Sequence, residues 1–194
     1  SWYAEGMINL AYNDYDGARL VSIGTINRIA KGDYQGWQYG AKIAGGYNID
    51  SGKLVFTPTV SLQYSHLDLD GYTETGADSL NLTVNSESFD QVRTSLGARV
   101  AYDLKSGIGG IKLELHAAWL YDVVADKQEF TSIYSGGGAA FKTEGASPAR
   151  HGANVGASIT LHSTGNVSLS ANYDAEIKDR YISHNGMLTA RYSY

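Results

Sequence analysis

The sequence contains no cysteine among its 194 residues, so disulfides, thiolate metal sites and thiol catalysis are excluded. Proline occurs only twice, and charged residues make up 18% of the chain, below the ~25% usual in soluble domains. No stretch approaches the ~18 consecutive apolar residues of a transmembrane helix. The net charge of −5, without a cluster of lysine and arginine, excludes nucleic acid as the expected partner. A transmembrane β-barrel stays possible, because its alternating strands average to ordinary hydropathy.

The dominant positive feature is a strict alternation of apolar and polar residues. Every odd position from Val167 to Ile177 is apolar and every even position is polar. Residues 92–104 and 111–123 have the same period of two, with apolar residues at most even positions of the first segment and at all odd positions of the second. A period of two sustained over ten or more residues predicts long strands with one apolar face. The nine predicted strands are about 1–13, 18–30, 37–49, 53–67, 89–104, 110–125, 150–162, 166–177 and 182–194.

The connections between these strands alternate in length. Tight turns are predicted at residues 50–52, 106–110 and 163–165, whereas 68–88 and 126–149 form long connections. Outer-membrane barrels have short periplasmic turns and longer extracellular loops. The sequence therefore predicts an all-β fold, an antiparallel transmembrane β-barrel.

The placement of aromatic residues supports the membrane interpretation. Tyr47, Tyr102 and Tyr192 fall near strand ends on the short-turn side, where they would form an interfacial girdle. In the alternative, a soluble sandwich or lipocalin-like barrel, the apolar face would have to close on a packed core. Its mid-strand alanines would leave such a core underfilled.

The polar face carries charges of both signs on several strands. Its predicted lumen-facing members are Lys42, Arg93, Arg99, Lys112, Glu114, His116, Asp122, Asp174, Glu176 and Arg191. In a water-filled barrel such groups are solvated and can pair across the lumen. Two interpretations stay open, a plain polar lining and contact with a polypeptide in the lumen.

The sequence offers no arrangement typical of catalysis or metal binding. Histidines and acids near the long connections have suitable residue types, but their spacing is uninformative. The acidic connection 68–88 allows calcium binding, although a solvated loop is the simpler interpretation. A serine nucleophile elbow, a zinc HExxH motif, a phosphate-binding loop and EF-hand spacing do not occur. No enzyme activity, cofactor or metal is therefore expected.

Short segments spread over nearly the whole chain resemble, in their order, the β-domain of bacterial autotransporters, the type V secretion systems. They are residues 15–19, 30–34 and 45–47, then Pro58, Leu62, Tyr64, residues 70–77, Leu80, Leu82 and Val84, and later Leu96, Gly97, Trp119, Phe141, Gly145, Arg150, Tyr173, Asp174 and residues 191–194.

The resemblance implies a twelve-stranded barrel in the outer membrane of a Gram-negative bacterium, with an N-terminal passenger at the cell surface and a linker helix threading the lumen. Because about nine strands are visible, residues 1–194 are expected to be a translocator domain that lacks its N-terminal strands and linker helix. The implied partners are outer-membrane lipid, the barrel-assembly machinery, and the protein's own passenger and linker helix. An adhesin-like or small porin-like barrel that binds through its extracellular loops is the alternative function.

The last predicted strand resembles the signal by which the barrel-assembly machinery recognises its substrates. Its apolar face is formed by Leu188, Ala190, Tyr192 and Tyr194. The chain has Thr189 where the family pattern often has glycine. The alternative is an ordinary edge strand with an interfacial aromatic residue.

Overall fold

The computed structural model describes residues 1–106, 109–145, 147–163 and 166–192. Nearly all of the described chain lies in strands. These are β1 (Trp2–Ile23), β2 (Ile26–Tyr47), β3 (Ile49–Ser51), β4 (Leu54–Leu69), β5 (Tyr72–Thr73), β6 (Leu82–Val84), β7 (Glu87–Ser106), β8 (Gly109–Ala125), β9 (Glu129–Tyr134), β10 (Phe141–Glu144), β11 (His151–Ser163), β12 (Val167–Lys178) and β13 (Tyr181–Tyr192). Among the described residues, no helix is long and apolar enough to cross a membrane.

The main sheet is an antiparallel meander that curls into a half-barrel. Its strand order is β1-β2-β4-β7-β8-β11-β12-β13, and the short β3 pairs with the beginning of β4. All neighbouring strands are antiparallel. The predicted all-β, antiparallel barrel class is confirmed, and β1 and β13 form the two edges of the described sheet.

The prediction of three separate strands at 1–13, 18–30 and 37–49 is wrong. The chain there forms one hairpin of two 22-residue strands, β1 and β2, paired without interruption from Trp2↔Tyr47 to Ile23↔Ile26. Its turn contains Gly24, whose φ of +60° suits glycine. The Asp and Gly residues at positions 14–17 suggest a break, but each finds a partner on β2, so pairing overrides their low strand propensity. The main sheet therefore has eight long strands.

The described parts of the long connections 68–88 and 126–149 contain short strands. Their short strands form a second sheet in the order β10-β9-β6-β5, in which β6 from the first connection pairs with β9 from the second. The 3₁₀ turn Asp78–Leu80 completes the first connection. At the opposite end, the predicted turns 106–110 and 163–165 fall partly outside the described residues.

The two faces of the main sheet follow the alternation in the sequence. Along β2, the side chains of Trp37, Tyr39 and Ile43 are exposed on the convex face, whereas alternate residues are buried or half-buried on the concave face. Aromatic residues lie near both ends of the convex face, with Trp2 opposite Tyr47 at one end and Tyr12 packed on Trp37, ring centroids 5.0 Å apart, at the other. Trp2 and Tyr12 are ten residues apart along β1, which is the ~9–11 residues that a tilted strand needs to cross the hydrocarbon core.

Candidate functional site

The concave face of the main sheet gathers the polar side chains that alternate along the strands. All ten lumen-facing residues predicted from the sequence lie on this face. The strand register fixes them there, as in the paired rows Lys42↔Gln63↔Arg93↔Asp122, Asp103↔Lys112, Ala101↔Glu114, Arg99↔His116↔Gly156↔Asp174, Asn154↔Glu176 and Ser168↔Arg191.

A network around Asp122, whose side chain is fully buried, lies on this face toward the end that carries the long connections. Arg93 donates from Nε to Asp122 Oδ1 at 2.7 Å, Gln91 donates from Nε2 to Oδ2 at 3.2 Å, and Lys178 Nζ also contacts Oδ2. Arg93 reaches Glu176 as well, with Nη1 3.1 Å from Oε2. Two cations and two carboxylates therefore neutralise one another within a single network.

This network requires the sheet to curl strongly. Arg93 lies on β7 and Glu176 on β12, with β8 and β11 between them. In a flat sheet, three strand spacings would place them about 14 Å apart at the backbone. A β-bulge at Val92/Arg93 keeps Arg93 opposite Asp122 and adds local bending.

Glycines on β11 make room for side chains from β8 and β12 to meet across it. A Cβ at Gly156 would lie 2.6 Å from His116 Nε2, and one at Gly152 would lie 2.8 Å from Lys178 Cγ. His116 Nε2 thereby reaches Asp174 Oδ1 at 2.8 Å and Asn154 Oδ1 at 3.1 Å. The small inner residues of β11 thus form a trough over which the polar network closes.

A second group of charges lies nearer the short-turn end of the same face. Glu114 forms ion pairs with Lys112, whose Nζ is 3.1 Å from the carboxylate, and with Arg99, whose Nη1 is 3.7 Å from it. The guanidinium of Arg99 also lies over the ring of Tyr3, 5.4 Å from its centroid. Of the remaining predicted residues, Lys42 borders a central cavity of about 390 Å³, and Arg191 faces Ser168.

The second sheet packs against the concave side of the β1–β2 hairpin. Tyr34 stacks between Tyr15 and Tyr72, with ring centroids 4.9 and 4.6 Å away. The backbones of Lys31 and Thr75 exchange two hydrogen bonds of 2.8 Å. The second sheet therefore covers one side of the opening at this end of the barrel, a feature that sequence alternation could not reveal.

An ion pair between the half-exposed Arg19 and the buried Glu74 holds this cover in place. Arg19 Nε donates to Glu74 Oε1 at 2.9 Å, and its Nη2 donates to the carbonyl of Leu80 at 2.9 Å. The Arg19 guanidinium and the Leu82 amide hold the pKa of Glu74 below its usual value of 4.5, although burial opposes the shift. Glu74 is thus a structural anchor of the acidic connection.

The histidines near the long connections are spread over the convex face. His66 Nδ1 donates to Asp90 Oδ1 at 2.8 Å and stacks on Tyr39, His151 packs on Tyr121 with centroids 4.9 Å apart, and His184 is hydrogen-bonded to Tyr173. The described residues contain no group of three or more His, Asp and Glu side chains that could hold a metal ion. These histidines belong to the aromatic band of the convex face, and for His66 the spacing of two residues from Tyr64 on the same strand already indicates this.

The terminal strand lies at one edge of the described sheet. Leu188, Ala190 and Tyr192 are on the convex face of β13, and Leu188 is 86% exposed. The fourth predicted residue of this group, Tyr194, lies outside the described residues.

An apolar convex face with aromatic residues near both ends, and a polar concave face, together define an outer-membrane β-barrel domain. A family model, the autotransporter β-domain, matches residues 1–174. The chain therefore belongs to the autotransporter β-domains of type V secretion, and its location is the outer membrane of a Gram-negative bacterium.

Similar proteins come from two bacterial groups. The chain is 28% identical over 170 residues to outer membrane protein B of Rickettsia conorii, covering 86% of this chain and 10% of that protein. It is 28% identical over 183 residues to esterase EstA of Pseudomonas aeruginosa, covering 89% of this chain and 27% of EstA. The chain thus spans about a tenth of the Rickettsia protein and about a quarter of the esterase.

Proposed function

We propose that this domain forms the pore through which an N-terminal passenger crosses the outer membrane and that it then anchors the passenger at the cell surface. The observation that supports this most directly is the concave face, where Arg93 is paired with Asp122 and Glu176, and where small polar side chains such as Ser61 and Ser183 line the central cavity. A face of this kind lines a hydrated passage, whereas the apolar convex face partitions into lipid.

Closure of the barrel is part of this proposal. The described sheet ends at β1 and β13, and an open sheet edge in lipid leaves backbone groups without hydrogen bonds. We infer that further strands of the same protein complete a twelve-stranded barrel and that a linker helix occupies its lumen. We assign no catalytic role to residues 1–194, although one relative is named an esterase.

The test uses the full-length protein expressed in a Gram-negative host. Surface exposure of the segment upstream of the barrel is measured by adding protease to intact cells, with and without residues 1–194. Export that depends on these residues supports the proposal. A surface-exposed upstream segment in cells that lack the barrel would refute it.

Assembly is the second element of the proposal, with the barrel-assembly machinery as partner and the last strand as its signal. An exposed edge strand with an apolar face can be recognised by β-augmentation. We expect Tyr192→Ser to lower the amount of folded barrel in the outer membrane, whereas Thr189→Ser, on the concave face of the same strand, leaves it unchanged. Equal assembly of both variants would contradict the role of this strand.

A further inference from the structure

We propose that the exported polypeptide leaves the lumen through one side of the opening only, along a cleft between the 147–149 segment and the β12–β13 turn. This inference rests on the proposed translocation function and specifies its route. The occupant is an extended polypeptide in transit.

Two adjoining cavities on the concave side lie along this route. The central cavity of about 390 Å³ and a cleft of about 790 Å³ beside the β12–β13 turn share Arg93 and Glu176 as lining residues. The cleft continues between Pro148 on one side and Tyr181 on the other. The two cavities therefore adjoin at the Arg93–Glu176 pair, and the cleft lies toward the end that carries the long connections.

The chemistry of this passage suits transit better than retention. Arg93, Lys178, Asp122 and Glu176 are paired with one another, which weakens their attraction for charged groups of the passing chain. Asp174 is paired with His116 and Asp179 with Arg180, whereas Lys42 is a further cation on the wall of the central cavity. Deeper in the passage, Ser183 and other small polar residues offer weak hydrogen bonds to a hydrated backbone. A polypeptide in transit must bind each position of the wall weakly enough to be released from it.

The opposite side of the opening is filled by the second sheet. Its cavity is smaller, about 340 Å³, and residues of β1, β2 and the second sheet line it. The Lys31–Thr75 backbone pair, the Arg19–Glu74 ion pair and the tyrosine stack bind the second sheet to the wall. A chain leaving on this side would have to break all three, whereas the cleft beside β12 requires no such rupture.

Site-directed crosslinking can test the route, because residues 1–194 contain no cysteine. Single cysteines are introduced in the full-length protein and labelled with a benzophenone maleimide while a passenger is stalled in transit by a fused, tightly folded domain. Tyr181→Cys and Ser183→Cys probe the proposed passage. Ile182→Cys, between them but on the convex face, is the matched control, and Thr143→Cys probes the cavity under the second sheet.

We expect crosslinks to the passenger from positions 181 and 183 at several times the yield from 182 and 143. Equal or higher yield at 143 would overturn the route while leaving translocation intact. Failure of the unlabelled parent to expose its passenger would instead overturn the proposed function, and the route with it. If Ser183→Cys does not assemble, Asn185→Cys lines the same central cavity and replaces it.

Discussion

Replacing Asp122 by asparagine should weaken the barrel more than any other conservative change on the concave face. The carboxylate is fully buried and contacts both Arg93 and Lys178. Removing one partner of a buried ion pair costs about 3–5 kcal/mol, because the other charge stays buried and unpaired. Both cations keep Glu176 as a second partner and border a hydrated cavity, so we expect a loss near the lower end, about 3 kcal/mol.

The assay is hydrogen–deuterium exchange of the full-length protein in detergent, followed in peptides from β8 and β12. A loss of about 3 kcal/mol in local opening free energy corresponds to exchange roughly a hundredfold faster. Glu114→Gln on the same strand is the matched control, since its more exposed pairs at 3.1 and 3.7 Å are each worth about 0–1 kcal/mol. Equal exchange in the two variants would show that the Asp122 network does not hold these strands together.

Three further predictions concern the second sheet and the β11 trough. Because the pKa of Glu74 is lowered in the folded protein, its ion pair stabilises the second sheet above pH 4.5 and is lost as the pH falls below that value. Pepsin should then cut residues 70–86 faster, and Glu74→Gln should remove this pH dependence. Gly156→Val should cost about 1–3 kcal/mol by displacing His116, whereas Gly6→Val, with open space around its Cβ, should leave thermal unfolding unchanged. Tyr72→Ala removes an aromatic stack worth about 0.5–1.5 kcal/mol, so trypsin should cleave at Lys142 or Lys127 more readily; unchanged cleavage would refute the packing role.

The alternation of the sequence predicts the main sheet well because the strands of a membrane barrel carry apolar residues on the lipid face and polar residues on the lumen face. Residues 167–177 alternate without exception, and the predicted strand 166–177 matches β12 within one residue at each end. The rule fails at residues 14–30, where the β1–β2 hairpin passes beyond the apolar zone. There the outward positions include Asp14 and Asp16, so periodic hydrophobicity no longer reports the strand.

The sequence predicts which residues belong to the candidate site but not which of them contact one another. Period two places Arg93, Asp122 and Glu176 on the same face, yet nothing local indicates that Arg93 contacts a residue 83 positions away. That contact depends on the curvature of the sheet and on the glycines of β11. The second sheet was missed for a related reason, since its strands have only two to six residues and pair between distant connections.

The charged network raises the question of why a barrel keeps ions where apolar side chains would stabilise it as well. Replacing a buried ion cluster by well-packed apolar residues is often neutral or favourable for stability. In this lumen, however, apolar residues in place of these four would form an apolar surface along the cavity that leads to the β12–β13 turn, and that surface would bind apolar side chains. The four residues are Arg93, Asp122, Glu176 and Lys178. Paired charges join β7, β8 and β12 across the glycine trough and still present a hydrated, self-neutralised surface. The proposed transport function would account for the polar character of the network, and stability accounts for its pairing.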